Sequence, residues 1–175
     1  IRDLRNGFAF PMRCGLAQLW DFATHPHWSL ATFAHAIGNG MPRPMNYATS
    51  SGNTSFVRNA SRGRADWSFL AALRDRWHGK LVVKGVQCPD DAVRIKSMGA
   101  DAIYVSNHGG RQLNAAPAAI NSLGQIRRAV GTEMTLIFDG GVRNGEHVVK
   151  ALAMGADFVM IGRSAMYGLG AAGRA

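Results

Sequence analysis

The sequence predicts an α/β fold, one half of a (β/α)8 TIM barrel. From about residue 66 onward, short apolar runs alternate with helical patterns across loops of a few residues. That alternation is the mark of parallel strands covered by helices. Each apolar run also ends on a polar residue with useful chemistry: Lys84, Ser106 to His108, Asp139 and Arg163. In such barrels the rim at the strands' C-terminal ends carries the site. A doubly wound sheet is the competing architecture, but it calls for Gly-x-Gly-x-x-Gly directly after a strand, and the chain has none.

The elements follow in order. Residues 68–77 read as a helix with Phe69, Leu70, Leu73 and Trp77 on one face. A strand runs over 81–85. Pro89-Asp90-Asp91 opens a helix that Gly99 stops. A second strand spans 102–105. Pro117 opens a helix through Ile120, Leu123, Ile126 and Val130, ended by Gly131. The third strand is 135–138. Gly145-Glu146 opens a helix through Val148, Val149 and Leu152, ended by Gly155. The fourth strand is 158–161, and a last helix begins near Ser164. The unbroken apolar character of the strands implies that both faces are covered. Four strands are half a barrel: a complete one takes roughly 250 residues, and the chain has 175. We therefore expect the C-terminal part of a longer protein, with little or no activity on its own. Residues 1–65 mix Gly, Pro, Asn and Ser with scattered aromatics and read as an irregular segment; residues 66–175 form the half barrel.

Composition narrows the function classes. Hydrophobic residues make up 47% of the chain, enough for a packed core rather than disorder. The net charge is +9, which favours an acidic partner. Seven Arg and two Asp within residues 1–64 supply +5 of it. Basic runs, zinc spacings and aromatic stacking signatures are lacking, so nucleic acid is not the expected partner. Cys14 and Cys88 stand far apart in no motif and read as free thiols. No apolar run reaches the ~18 residues of a spanning helix.

The strand ends carry the chemistry. Ile161-Gly162-Arg163-Ser164 passes from strand to helix, where free N–H groups, a close backbone approach and a guanidinium suit a phosphate. Asp139 precedes Gly140-Gly141-Val142-Arg143; its carboxylate reads as an acceptor for sugar or polyol hydroxyls, or as a helix cap. Arg143 reads as a phosphate contact or a solvated side chain. Lys84 offers an ammonium for an anion developing on a bound ring, or a side chain snorkelling from the rim. His108 is the candidate base. Arg111, three residues on, matches a carboxylate through two parallel hydrogen bonds.

The stretch Ser106-Asn107-His108-Gly109-Gly110-Arg111-Gln112 resembles the signature of the FMN-dependent α-hydroxy acid dehydrogenase and oxidase family, closest to its membrane-type L-lactate and mandelate dehydrogenases. Val83-Lys84-Gly85-Val86, Asp139-Gly140-Gly141-Val142-Arg143-Asn144-Gly145 and Ile161-Gly162-Arg163 match the family in order and spacing. The likeness is good over 66–175 and weaker towards Arg2–Phe8. It implies strands 5–8 of a TIM barrel, behind the segment of the family's fourth loop. It implies FMN as cofactor, with Lys84 near N1 and the C2 carbonyl, Ser106 on the ring, Asp139 on ribityl hydroxyls, and Gly141, Arg143, Gly162 and Arg163 at the phosphate. His108 would be the catalytic base beside the flavin and Arg111 the substrate clamp. The implied reaction oxidises an L-2-hydroxy acid to the 2-oxo acid, and the implied assembly is a homo-tetramer. Asn114 stands where the family usually has Asp.

Residues 11–46 hold Trp20, Phe22, Trp28, Leu30 and Phe33 between Arg13 and Arg43, a composition suited to an interfacial anchor. His25-Pro26-His27-Trp28 resembles the membrane-bound dehydrogenases. The competing reading is a mobile lid or a subunit contact. We expect this segment to lie on the cytoplasmic face of a bacterial inner membrane, with electrons passing to a quinone or another respiratory acceptor. His25-x-His27 lacks further ligands, and no metal is expected. The alternatives are a soluble cytoplasmic oxidase using oxygen, another phosphate-binding barrel such as an FMN-dependent isomerase, and a non-catalytic fragment.

Overall fold

The computed structural model describes residues 15–40, 65–111, 113 and 115–172. The family-like start Arg2–Phe8, the flanking Arg13 and Arg43, Cys14, Gln112 and Asn114 lie outside the described residues. The chain divides into two units, Ile1–Arg62 and Gly63–Ala175.

In the first unit the irregular reading is corrected over 16–39, which form two helices. They are α1, Leu16–Thr24, and α2, Pro26–Asn39. Gln18 reaches back to the Gly15 N–H at 3.0 Å, closing the first turn of α1. Pro26 sits at the start of α2, where its missing N–H costs nothing. Phe22 and Trp28 stack at 6.0 Å between ring centroids. Neither helix buries a residue. An apolar stripe set against a core is the usual arrangement of a helix, and here the stripe meets no core among the described residues.

The second unit is a four-stranded parallel sheet in the order β1-β2-β3-β4 with helices between the strands. Its elements are α3 (Trp67–Arg76), β1 (Val82–Val86), α4 (Pro89–Ser97), β2 (Ala102–Val105), α5 (Ala119–Val130), β3 (Thr135–Phe138), α6 (Gly145–Ala153), β4 (Phe158–Val159) and α7 (Arg163–Ala172). Ile103, Val105, Leu136 and Phe138 from the strands meet Leu123 and Ile126 of α5 and Ile95 of α4 in one buried core. By the two-residue period of a strand, Tyr104, Ser106, Ile137 and Asp139 take the opposite face. On β1 the alternation breaks. The register slips between Lys84 and Val86, and Gly85 has φ +93, so Val83 and Val86 both join the core while Lys84 does not.

Coverage of both strand faces holds for β2 and β3 but not for the outer strands. Val82 is 44% exposed and Phe158 61%. β4 is shorter than its apolar run, because beyond Val159 the ladder keeps one bond, Met160 N–H to the Phe138 carbonyl at 2.8 Å. At the N-terminal rim two equivalent anchors recur. Asp101 accepts from the Leu81 N–H and from Arg74, and Asp157 accepts from the Leu136 N–H and from Arg127. The stabilising pairs thus sit at the end opposite to the strand termini that bear Lys84, Ser106 and Asp139.

Candidate active site

Three strands deliver a polar cluster to one face. The Lys84 Nζ, from β1, lies 2.8 Å from the Asp139 Oδ2 beyond β3 and 3.3 Å from the Ser106 Oγ beyond β2. It also stands 3.7 Å above the centre of the Tyr104 ring. Burial pushes the Asp139 carboxyl up, but the Lys84 ammonium and the nearby Ser106 and Tyr104 hydroxyls outweigh it and hold the group below the usual carboxylate range. Desolvation, reinforced by the Asp139 carboxylate, pushes the Tyr104 phenol up to about 12, so it stays a neutral hydroxyl. The second oxygen of Asp139, Oδ1, is buried with no hydrogen-bond partner among the described residues. Buried acceptors are seldom left so. The vacant lone pairs suit hydroxyl donors of a bound polyol.

His108 stands at the edge of this cluster. Its φ of +54 is the one positive value outside glycine among the described residues. Such a conformation costs on the order of 1–3 kcal/mol and gathers at functional sites. Its N–H donates to the Ser106 Oγ at 3.1 Å. The ring lies over Gly85, where a Cβ would meet the imidazole Cε1 at 3.4 Å, an ordinary contact; what calls for glycine there is its φ of +93. A 3-10 turn, His108–Gly110, follows, and the Arg111 N–H closes it on the His108 carbonyl at 3.3 Å. The Asn107 side chain pins the turn from both sides, accepting from the Gly110 N–H at 3.2 Å and donating to the Pro117 carbonyl at 3.2 Å. Histidine and arginine are thereby held one turn apart, with Arg111 exposed.

Beside the turn opens a cavity of about 450 Å³, lined among others by Gly109, Gly140, Gly141, Arg143, His147 and Arg163. Gly140 and Gly141 have φ +115 and +76, a left-handed backbone that favours glycine and brings the chain to the wall of this cavity without a side chain. The Arg163 Nη2 donates to the Gly109 carbonyl at 3.1 Å, and the Ser164 Oγ to the Val142 carbonyl at 2.7 Å, so the start of α7 is tied to both loops. Among the described residues no carboxylate lines this cavity, while Arg143, Lys150 and Arg163 do. Its chemistry is that of an anion site. Asp139 does not cap α6; Asn144 does, accepting from the His147 N–H at 3.1 Å.

Eight of the nine sequence candidates therefore fall into two neighbourhoods. Lys84, Ser106, His108 and Asp139 come together, with Arg111 on the adjoining turn, and Gly141, Arg143 and Arg163 line the anion cavity. Gly162 is not among its lining residues; its carbonyl starts α7 by accepting from the Ala165 and Met166 N–H groups. Sequence reading missed Tyr104, Asn107 and His147. Tyr104 was visible as a polar-headed side chain two positions before Ser106 on the same strand face. Asn107 and His147 act through contacts that no spacing announces.

The model of the FMN-dependent dehydrogenase family matches residues 1–175. The chain belongs to the FMN-dependent dehydrogenase family. Among its relatives in this family, (S)-mandelate dehydrogenase of Pseudomonas putida is 39% identical over 98% of the chain and 44% of the relative. L-lactate dehydrogenase of Bartonella quintana (strain Toulouse) is 37% identical over 98% of the chain and 46% of the relative. The crystal structure of the monotopic membrane protein (S)-mandelate dehydrogenase superposes with a TM-score of 0.78 at 36% identity, over 98% of this chain and 46% of that one. A mandelate oxidase crystallised with (S)-4-hydroxymandelic acid gives a TM-score of 0.59 at 44% identity, over 62% of this chain and 32% of that one. The chain spans about half the length of the relatives it matches. Its four-stranded parallel sheet is a portion of the family's (β/α)8 barrel.

Proposed function

We propose that this chain carries the FMN-binding and acid-oxidising rim of a 2-hydroxy acid dehydrogenase. The observation that carries the reading is the convergence of the Lys84–Asp139 pair with His108 and the Arg111 turn, beside an anion cavity lined by Arg143, Lys150 and Arg163. Bound FMN would supply the two-electron acceptor. Arg143, Arg163 and the Gly140–Gly141 loop hold its phosphate. The unpartnered Oδ1 of Asp139 takes a ribityl hydroxyl, and Ser106 and Lys84 face the ring. Arg111 clamps the carboxylate of an L-2-hydroxy acid. His108 accepts one of the two protons that oxidation to the 2-oxo acid releases, and its fixed turn keeps the imidazole at the substrate rather than in solvent. Lys84 would stand at the ring, its ammonium placed to favour negative charge there.

Electrons then pass to a quinone or another respiratory acceptor at the cytoplasmic face of the membrane, from a protein assembled as a homo-oligomer. Support comes from α1 and α2, whose Leu16, Trp20, Leu30, Phe33 and Ile37 are all more than two-thirds exposed. No helix among the described residues is long and apolar enough to cross a membrane; exposed apolar residues of this kind suit interfacial docking. The similarity to a mandelate oxidase supports a second reading, a soluble oxidase using oxygen. Membrane fractionation separates the two. The chemistry is tested by anaerobic titration of the flavin-loaded protein with L-lactate, (S)-mandelate and glycolate. Bleaching of the flavin band by at least one acid is expected, and a band that none of them changes refutes the reading.

A further inference from the structure

His147 is a polar side chain of the anion cavity to which the chemistry above gives no task. It is half-buried on the first turn of α6. Its Nδ1 lies 3.3 Å from the Arg143 backbone N–H and 3.2 Å from the Gly141 carbonyl oxygen. One ring nitrogen cannot serve both partners at once. With a lone pair it accepts from Arg143; with a proton it donates to Gly141. Both partners belong to the loop that lines the cavity, so the proton on this nitrogen decides whether the Arg143 N–H is engaged or released. A protonated ring also adds a positive charge to a cavity that already holds Arg143 from the loop, Arg163 from α7 and Lys150 from α6. The nearest opposing charge on α6, Glu146, is paired with Lys150. The wall contributed by α5 and the His108 turn brings no charge: Asn107, Gly109, Ala119 and Ile120.

We propose that His147 is a proton-dependent positioning residue for the phosphate end of the site. In the neutral ring the proton sits on Nε2 and Nδ1 accepts from Arg143; on taking up a second proton Nδ1 passes to Gly141, frees the Arg143 N–H for a phosphate oxygen and adds the ring's charge, so the phosphate is held more tightly. The inference rests on the FMN reading above. By linkage, a bound phosphate must in turn favour the protonated ring.

The test uses the flavin-loaded protein stripped to its apo form. Dissociation constants for FMN and for riboflavin, which lacks the phosphate, are measured between about pH 5 and 8, where imidazoles titrate. The partner variant is His147→Asn, whose side-chain oxygen accepts from the Arg143 N–H and never takes a proton. Because the phosphate of FMN titrates in the same range, the quantity read is the wild-type FMN affinity relative to the variant at each pH. That ratio is expected to rise about three- to tenfold from the alkaline to the acid end, while riboflavin binding stays the same in both proteins. Parallel FMN profiles for the two proteins, or riboflavin affinities that move as much as those for FMN, overturn the proposal. If His147→Asn does not fold, the 15N shift of Nδ1 in the wild type decides: FMN near neutral pH should drive it towards the protonated form and riboflavin should not, and equal shifts overturn the proposal. A wild type that binds no FMN at any pH defeats the FMN reading itself, and this inference with it.

Discussion

The ammonium of Lys84 has three neighbours of different chemistry: a carboxylate, a hydroxyl and an aromatic face. Asp139 is the counter-charge, so Asp139→Asn should weaken FMN binding at least tenfold while leaving the far-UV circular dichroism unchanged; equilibrium dialysis against FMN reads it. At the other rim Asp101 tests acid stability. Lys80, the Leu81 N–H and Arg74 lower its pKa to about 2 from an ordinary 3.8. A depressed carboxyl contributes stability that is complete above the unfolded value and lost as the pH falls through the folded one. Thermal melts of Asp101→Asn should therefore fall below wild type at neutral pH, and the gap should close between about pH 4 and 2. A gap that stays constant down to pH 2 removes the carboxylate from the explanation. His108 and Asp139 were legible as residues just past strand ends and Arg111 as the partner three residues on, while β1 runs on past Lys84, read as its end, to Val86. Their grouping was not legible, since the Lys84–Asp139 pair depends on two parallel pairings, β1 with β2 and β2 with β3, that periodicity alone does not give.

The helices and strands of the second unit were legible almost in full, because each strand is an apolar run and α4, α5 and α6 turn apolar residues to it; α3 is the exception, since Phe69, Leu73 and Trp77 of its expected face are exposed and only Trp67 and Leu70 reach the core. Leu123 and Ile126 of α5 are fully buried, and Leu123→Ala should cost ~2–5 kcal/mol in chemical denaturation. Asn144 caps α6 beneath the phosphate loop, so Asn144→Ala should cost about 1 kcal/mol and raise hydrogen exchange in that turn. A repeated signal lay unread in the chain: Gly99-Ala100-Asp101 before β2 and Gly155-Ala156-Asp157 before β4. Each aspartate meets an arginine from the helix two elements earlier, Arg74 or Arg127. Two helices, α1 and α2, were missed. Leu16, Leu19, Trp20 and Ala23, and Leu30, Phe33, Ala34 and Ile37, do recur at helical spacing, but the surrounding Gly, Pro, Asn and Ser drew the segment to an irregular reading, and neither helix buries a residue.

Among the described residues, two exposed apolar surfaces bear on association. The sheet ends on β1 and β4, where Phe158, Met160 and Ile161 are each about half exposed or more. An unpaired apolar edge of this kind invites association, so residues 1–175 expressed alone should self-associate in sedimentation, and a compact, cooperatively melting monomer would contradict that. The other surface is that of α1 and α2. Replacing Trp20 and Phe33 with Ser should move the protein from membrane to soluble fractions without changing its flavin spectrum. The most direct measurement concerns His108. In anaerobic stopped-flow reduction of the flavin-loaded protein by its best 2-hydroxy acid, His108→Asn should slow flavin bleaching by about 10²-fold or more while FMN stays bound. Reduction at the wild-type rate with FMN fully retained would show that the imidazole at the end of β2 is not the base.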